Sequence, residues 1–283
     1  MKIFSFRPVF YFFILTLIGC APTGEVHWLK TSNGRLKSVV YKSDHLSAHP
    51  LIVIVLHGDL PQPSPKYQYE FAQMIAGKID DVVAVGILRP AYTDPYSDHS
   101  DGEEFLATGD NYTPEVVDAI GAAAEQLRSL YAARAVILIG HSGGATIAAN
   151  LLGRKPKSAD AAVLVACGCD PVSWRERMQR ESDFPGWKRP VRSLFPLDLV
   201  AQVNPSVRVD MLVGANDDVA PPEYTHKYHA ALRSLGIDAR EFVLPNLGHN
   251  ILFAPSVVQH VSNFVATYAQ QGAVGSTRET RAP

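Results

Sequence analysis

Three cysteines in 283 residues are too few to staple a chain together, so the fold must rest on an apolar core rather than a disulfide framework. Charge of one sign is equally scarce. The 26 Lys and Arg nearly balance 28 Asp and Glu, leaving a net charge of −2, and no basic cluster or stacking platform appears. That balance argues against nucleic acid as a partner. No apolar run reaches the roughly 20 residues that span a bilayer. No internal repeat is visible, and low complexity is confined to the C-terminal tail. What remains is an ordinary globular composition, 47% hydrophobic and 19% charged, at a length that α/β folds routinely use as one unit.

Lys2 and Arg7 give the N-terminus a positive start, and Val9 to Ile18 follows as an apolar run of about ten residues, the size of a signal-peptide core. The run closes on Leu17-Ile18-Gly19-Cys20, which resembles the bacterial lipobox. That resemblance implies cleavage after residue 19 and lipidation of the Cys20 thiol. Ala21 in second place favours the outer membrane if the host is Gram-negative. The expectation is an exported cell-envelope lipoprotein: residues 1–19 a signal peptide, 20–25 a tether held to the membrane through Cys20. An ordinary secretory signal with an incidental cysteine is the alternative, and it exports the chain as well. Cys167 and Cys169 remain, at the end of an apolar run. On a strand they project to one side, and a bond between positions two apart is awkward. Pairing is therefore disfavoured despite the oxidising compartment, as is any catalytic or metal role.

Along the mature chain, Asn33-Gly34 separates His27–Thr31 from Leu36–Tyr41 and signals a hairpin, because both residues tolerate positive φ. Leu51–Leu56, Val82–Leu88, Ala135–Ile139, Ala161–Ala166, Val207–Val213 and Ala239–Leu244 read as strands, the first of them buried on both faces by its composition. Helical patterns intervene, from Ser64-Pro65 to about Gly77, from Thr113-Pro114 to about Tyr131, from Ala145 to Leu152, from Pro221-Pro222 to about Leu235, and from Pro255 to Tyr268. Residues 170–204 change character, with charges, aromatics and scattered prolines, and read as a short lid insertion. The polar tail, 270–283, is expected to be disordered. Strands alternating with helices imply a mostly parallel sheet with helices on both faces, an N-terminal antiparallel hairpin, and function beyond the carboxyl ends of the strands.

The sharpest feature is Gly140-His141-Ser142-Gly143-Gly144, placed between a strand-like run and a helix-like run. At that G-x-S-x-G spacing the glycines allow a tight strand-to-helix turn that lifts a serine hydroxyl off the sheet edge. A hydroxyl is a poor nucleophile and needs a base, and the base needs a third group to fix its tautomer. His249, after Gly248, is the candidate base. Asp217 and Asp218 are both candidate acids.

From about Val39 to Tyr268 the chain resembles an α/β-hydrolase. The resemblance rests on Leu56-His57-Gly58-Asp59, the serine turn, Gly214-Ala215-Asn216-Asp217-Asp218-Val219-Ala220-Pro221 and Leu247-Gly248-His249. It implies an α/β-hydrolase domain over 26–269, with Ser142 as nucleophile, His249 as base and Asp217, three residues after the strand-terminal glycine, as acid. It also implies backbone N–H donors at Asp59 and Gly143 for the oxyanion. A carboxylate at Asp59 is unexpected there unless it points outward to solvent or meets a cationic substrate group. Arg89-Pro90-Ala91-Tyr92 resembles the R-P-G-Y turn of this fold, with alanine for glycine, and is structural. The acids Asp94, Asp98, Asp101, Glu103 and Glu104 lack the spacing of a dedicated calcium loop and read as a solvated loop. Arg175, Arg177, Arg180, Lys188, Arg189 and Arg192 give the lid a cationic surface.

The expected activity is that of a serine hydrolase cleaving a small or medium carboxylic ester through an acyl-enzyme, with no metal and no organic cofactor. A prolyl-oligopeptidase-like peptidase or a thioesterase is the alternative. The peptidase ranks second because no propeller domain precedes the hydrolase segment. A non-catalytic binding lipoprotein of the same fold is a third reading, which the presence of Ser142, Asp217 and His249 together disfavours. Oligomeric state is left open.

Overall fold

The computed structural model describes residues 23–59, 64–103 and 110–279, with side chains to residue 270. The signal-peptide segment, Cys20 and Glu104 lie outside the described residues. Eight strands form one sheet: β1 (Glu25–Thr31), β2 (Gly34–Lys42), β3 (Leu51–Leu56), β4 (Val82–Ile87), β5 (Ala135–His141), β6 (Ala161–Val165), β7 (Arg208–Gly214) and β8 (Asp238–Leu244). Their spatial order is β1-β2-β4-β3-β5-β6-β7-β8. β2 runs antiparallel to both β1 and β4, and every other pairing is parallel. This is the α/β-hydrolase architecture.

The α-helices are α1 (Tyr67–Ala76), α2 (Pro114–Leu130), α3 (Gly143–Arg154), α4 (Pro171–Glu181), α5 (Pro196–Leu199), α6 (Pro222–Ser234) and α7 (Pro255–Glu279). Side chains alternate along a strand, and the two faces of β3 show the result. Ile52, Ile54 and Leu56 pack with the apolar stripes of α2, α3 and α6, while Leu51, Val53 and Val55 pack with α1 and α7. All six residues of β3 are buried. Thr113 accepts the Val116 N–H and caps α2 with Pro114 in its first turn, as a Thr-Pro pair at a helix start should. Between β6 and β7 the chain leaves the sheet to form α4, α5 and two short 3₁₀ turns.

Several boundaries differ from the sequence reading. β1 begins at Glu25, taken as tether, because Glu25 pairs with Val40 in the ladder and its carboxylate receives Lys42 Nζ at 2.9 Å. In the hairpin Thr31 faces Gly34, so Ser32 and Asn33 form the loop, and Gly34 rather than Asn33 takes the positive φ, 119°. α1 starts at Tyr67, past Ser64-Pro65, with the Lys66 carbonyl accepting the Tyr69 N–H. α7 continues past its expected end at Tyr268 as far as Glu279, through much of the tail expected to lack structure. Ala, Gln, Arg and Glu favour helix, and extending a formed helix needs no new nucleus.

The clearest correction concerns the cysteines. Cys167 and Cys169 form a disulfide with Cα atoms 5.1 Å apart. The strand reading that disfavoured it fails because β6 ends at Val165 and Ala166 adopts φ of 50°. That left-handed residue turns the chain and brings the two cysteines within the 4.4–6.8 Å Cα range of ordinary disulfides.

Backbone crowds Gly144 in the first turn of α3, where an added Cβ would lie 2.5 Å from the His57 carbonyl oxygen and closer still to that of Leu56. Both obstacles are backbone. Gly144→Ala is therefore expected to destabilise the protein by about 1–3 kcal/mol, read as a lowered urea midpoint with an unchanged m-value.

Candidate active site

Ser142 sits at the junction of β5 and α3 with φ 53° and ψ −121°, a backbone conformation that costs a non-glycine residue free energy. It is held there on both sides. Its N–H donates to the Val165 carbonyl at 2.9 Å, and its carbonyl accepts from Ala145 at 2.9 Å and Thr146 at 3.1 Å. Gly140 is required for this turn, since a Cβ there would lie 2.5 Å from the Gly144 carbonyl oxygen. A serine ahead of a helix usually turns its hydroxyl back onto the helix N–H groups. Ser142 makes no such cap, and its hydroxyl bonds elsewhere.

The partner is His249. Ser142 Oγ lies 2.9 Å from His249 Nε2, while His249 Nδ1 lies 3.0 and 2.9 Å from the two oxygens of Asp217. A carboxylate only accepts, so Nδ1 carries the proton and Nε2 is left to accept from the hydroxyl. Asp217 is buried, and its Oδ1 also accepts the N–H groups of Val219 at 3.0 Å and Ala220 at 2.8 Å. Asp218 is exposed, and its carbonyl receives Arg177 from α4 at 2.7 Å. Of the two adjacent acids, the structure brings Asp217 to the histidine. The arrangement can take the proton from Ser142 and stabilise the resulting imidazolium.

The loop after β3 packs directly on this turn. An added Cβ on Gly58 would lie 2.8 Å from Ser142 Cβ, and one on Gly143 would lie 2.6 Å from Asp59 Oδ2. Asp59 and Gly143 are thus side by side next to the hydroxyl. As the first residue of α3, Gly143 has an N–H with no carbonyl one turn back. The Asp59 carboxylate is neither outward nor open, contrary to both readings of the sequence. It receives Arg89 Nη1 at 2.9 Å, Tyr92 Oη at 3.1 Å and Tyr112 Oη at 2.6 Å. Burial pushes its carboxyl up, but Arg89 and the Tyr112 and Asn111 side chains outweigh this and hold it below the usual range. Arg89 is fully buried and also donates to the His57 carbonyl at 3.1 Å. The negative charge beside the turn is therefore compensated from within. Ala91, in the glycine position of the R-P-G-Y turn, takes φ of 64°.

A chain of polar contacts missed by sequence reasoning links the same loop to the base. Gly58 N–H donates to Tyr67 Oη at 2.5 Å, Tyr67 donates to His141 Nδ1 at 3.0 Å, and His141 Nε2 donates to the His249 carbonyl at 3.2 Å. The two contacts of His141 span residues distant in sequence, so only its presence inside the serine motif hinted at them. Burial depresses the His141 pKa to about 4, and burial together with Arg89 depresses that of His57 to about 3.

Several of the remaining charged candidates are partnered. Lys37 Nζ lies 2.5 Å from Asp94 and 2.6 Å from Asp98, Asp101 accepts the Arg35 N–H at 2.7 Å, and Glu103 pairs with Arg192 at 2.9 Å. Arg175 donates to the carbonyls of Trp187 and Arg189. Trp174 Nε1 joins Arg177 in pinning α4 to the Val219 carbonyl, at 3.0 and 3.2 Å.

Two outcomes follow. Asp217→Asn removes the group that fixes the histidine tautomer and is expected to lower kcat by up to about 10⁴-fold, whereas Asp218→Asn stays close to wild type in the same assay. His57 and His141 are neutral when folded but protonate when unfolded near their ordinary value of 6.5. The unfolded state therefore binds more protons below that pH, and stability is lost as pH falls from about 6.5 toward 4. Urea titrations across that window check this, with a shallower loss in His141→Gln.

The prolyl oligopeptidase family model matches residues 91–272. Comparison with curated proteins finds no match. Among solved structures, the esterase Pf2001 of Pyrococcus furiosus is similar at 16% identity and a TM-score of 0.63, over 86% of this chain and 92% of that one. The acylaminoacyl peptidase of Pyrococcus horikoshii is similar at 17% identity and a TM-score of 0.63, over 88% of this chain and 41% of that one. A putative dipeptidyl aminopeptidase IV from Bacteroides ovatus is similar at 19% identity and a TM-score of 0.66, over 88% and 36%. The chain thus spans nearly all of the esterase but about two fifths of the peptidases.

Proposed function

The chain is a serine hydrolase of the prolyl oligopeptidase family, and on that premise we propose that it cleaves carboxylic esters of small or medium size through an acyl-enzyme. Ser142 Oγ gives its proton to His249 Nε2 and attacks the ester carbonyl carbon. Asp217 steadies the imidazolium. The N–H groups of Gly143 and Asp59 receive the oxyanion. His249 then protonates the departing alkoxide, and water, deprotonated by the same nitrogen, releases the acid product.

The contact between Ser142 Oγ and His249 Nε2, 2.9 Å long, carries this reading. Preference for a neutral ester over a free peptide N-terminus is supported by Asp59. Its carboxylate is engaged by Arg89, Tyr92 and Tyr112 and is not available to seat a substrate ammonium group. Structural similarity to the Pyrococcus esterase supports the same choice, and the family name supports peptide cleavage as the second reading. The proposal includes envelope anchoring through Cys20. Its support is the lipobox-like sequence, together with the Cys167–Cys169 bond of a kind that persists in oxidising compartments. Among the described residues no helix is long and apolar enough to cross a membrane.

A fluorophosphonate probe is expected to label the wild type and to lose its target in Ser142→Ala. Hydrolysis of p-nitrophenyl acetate should then proceed with amino-acyl anilides left intact. Turnover of the anilides at a comparable kcat/KM would replace the ester reading with the peptidase one.

A further inference from the structure

Helix α6 and the edge strand β8 bring three metal-ligating side chains together outside the serine site. His226 and His229 are three positions apart on α6, so they share a face, and Glu241 lies on β8. One ligand atom from each lies within 4.8 Å of the others. Both imidazole Nδ1 atoms converge on the same oxygen, Glu241 Oε2, at 3.1 Å from His226 and 3.5 Å from His229.

The protonation pattern makes this convergence informative. His229 Nε2 lies 3.2 Å from the Ala239 carbonyl oxygen, which can only accept. Nε2 therefore carries the proton, and in the neutral ring Nδ1 presents a lone pair to a carboxylate oxygen. Two acceptors facing each other repel unless a second ring proton or a metal ion stands between them. Metal-bound histidines have this arrangement, one nitrogen to the ion and the other N–H to a backbone carbonyl. Glu241 Oε1, moreover, is buried with no hydrogen-bond partner. Zinc bonds of about 2.0–2.1 Å in a tetrahedron set ligand atoms about 3.3–3.4 Å apart, and the observed 3.1 and 3.5 Å bracket that separation.

We propose that His226 Nδ1, His229 Nδ1 and the Glu241 carboxylate bind a divalent transition cation of the zinc class, with water completing the shell on the exposed His226 side. Imidazole and carboxylate suit such an ion. The site joins α6, which follows the loop carrying Asp217, to β8, which precedes the loop carrying His249. It acts as a staple between two elements that frame the acid and the base, and it takes no part in bond cleavage.

Equilibrium dialysis of chelator-treated full-length protein against zinc chloride tests this. Wild type is expected to retain one equivalent and to gain a higher melting temperature with zinc. His226→Ala and Glu241→Gln should each weaken binding by more than about tenfold and remove the thermal gain. Ester hydrolysis without added zinc should match wild type in both, showing that they fold. Absence of bound zinc in the wild type would leave an ordinary His-Glu ion pair. Retention unchanged in both variants would place the ion elsewhere. Either result overturns the proposal.

Discussion

A 2.9 Å hydrogen bond joins Ser142 to His249 across 107 positions of the chain, and it forms because three loops leave the same edge of one parallel sheet. Parallel strands with crossover helices send every βα loop to the carboxyl edge. The turns after β5 and β7 and the segment after β8 therefore meet without any local sequence signal bringing them together. Proximity alone does not align a hydroxyl with an imidazole nitrogen. The strained backbone of Ser142 is fixed by Val165, Ala145 and Thr146, and Gly144 lets α3 approach the carbonyls at the end of β3. The His249 ring is fixed from the far side by a carboxylate whose own oxygen is tied to two backbone N–H groups. Each restraint is modest, and the reactive geometry is their product.

Much of this was legible in the sequence, for identifiable reasons. Buried parallel strands are continuous apolar runs, so β3 was readable to the residue. The serine turn was readable because its steric demands leave little besides glycine at positions 140 and 144. The choice of Asp217 over Asp218 came from the resemblance, which implies an acid three residues after the strand-terminal Gly214. Contacts between residues remote in sequence left no such trace. The Asp59–Arg89 pair joins two motifs that were each noticed and never connected, and the Tyr67–His141 link passes through a tyrosine with nothing to distinguish it. The cysteines misled because one left-handed residue, Ala166, converted a strand geometry into a turn.

Placing an acidic residue in the loop expected to receive an oxyanion looks self-defeating until Arg89 is considered. A fully buried guanidinium costs heavily in desolvation unless a partner offsets it, and Asp59 is that partner. Two tyrosine hydroxyls share the same carboxylate, so the loop after β3, the turn after β4 and the approach to α2 are tied at one point. The carboxylate is thus an internal fastener of the site's wall.

The attachment of α4 has a mechanical implication. Trp174 and Arg177 grip the carbonyls of Asp218 and Val219, immediately beyond the carboxylate that orients the imidazole. Helix and acid therefore share one anchorage, and any displacement of α4 would be transmitted to the segment that keeps the proton acceptor true.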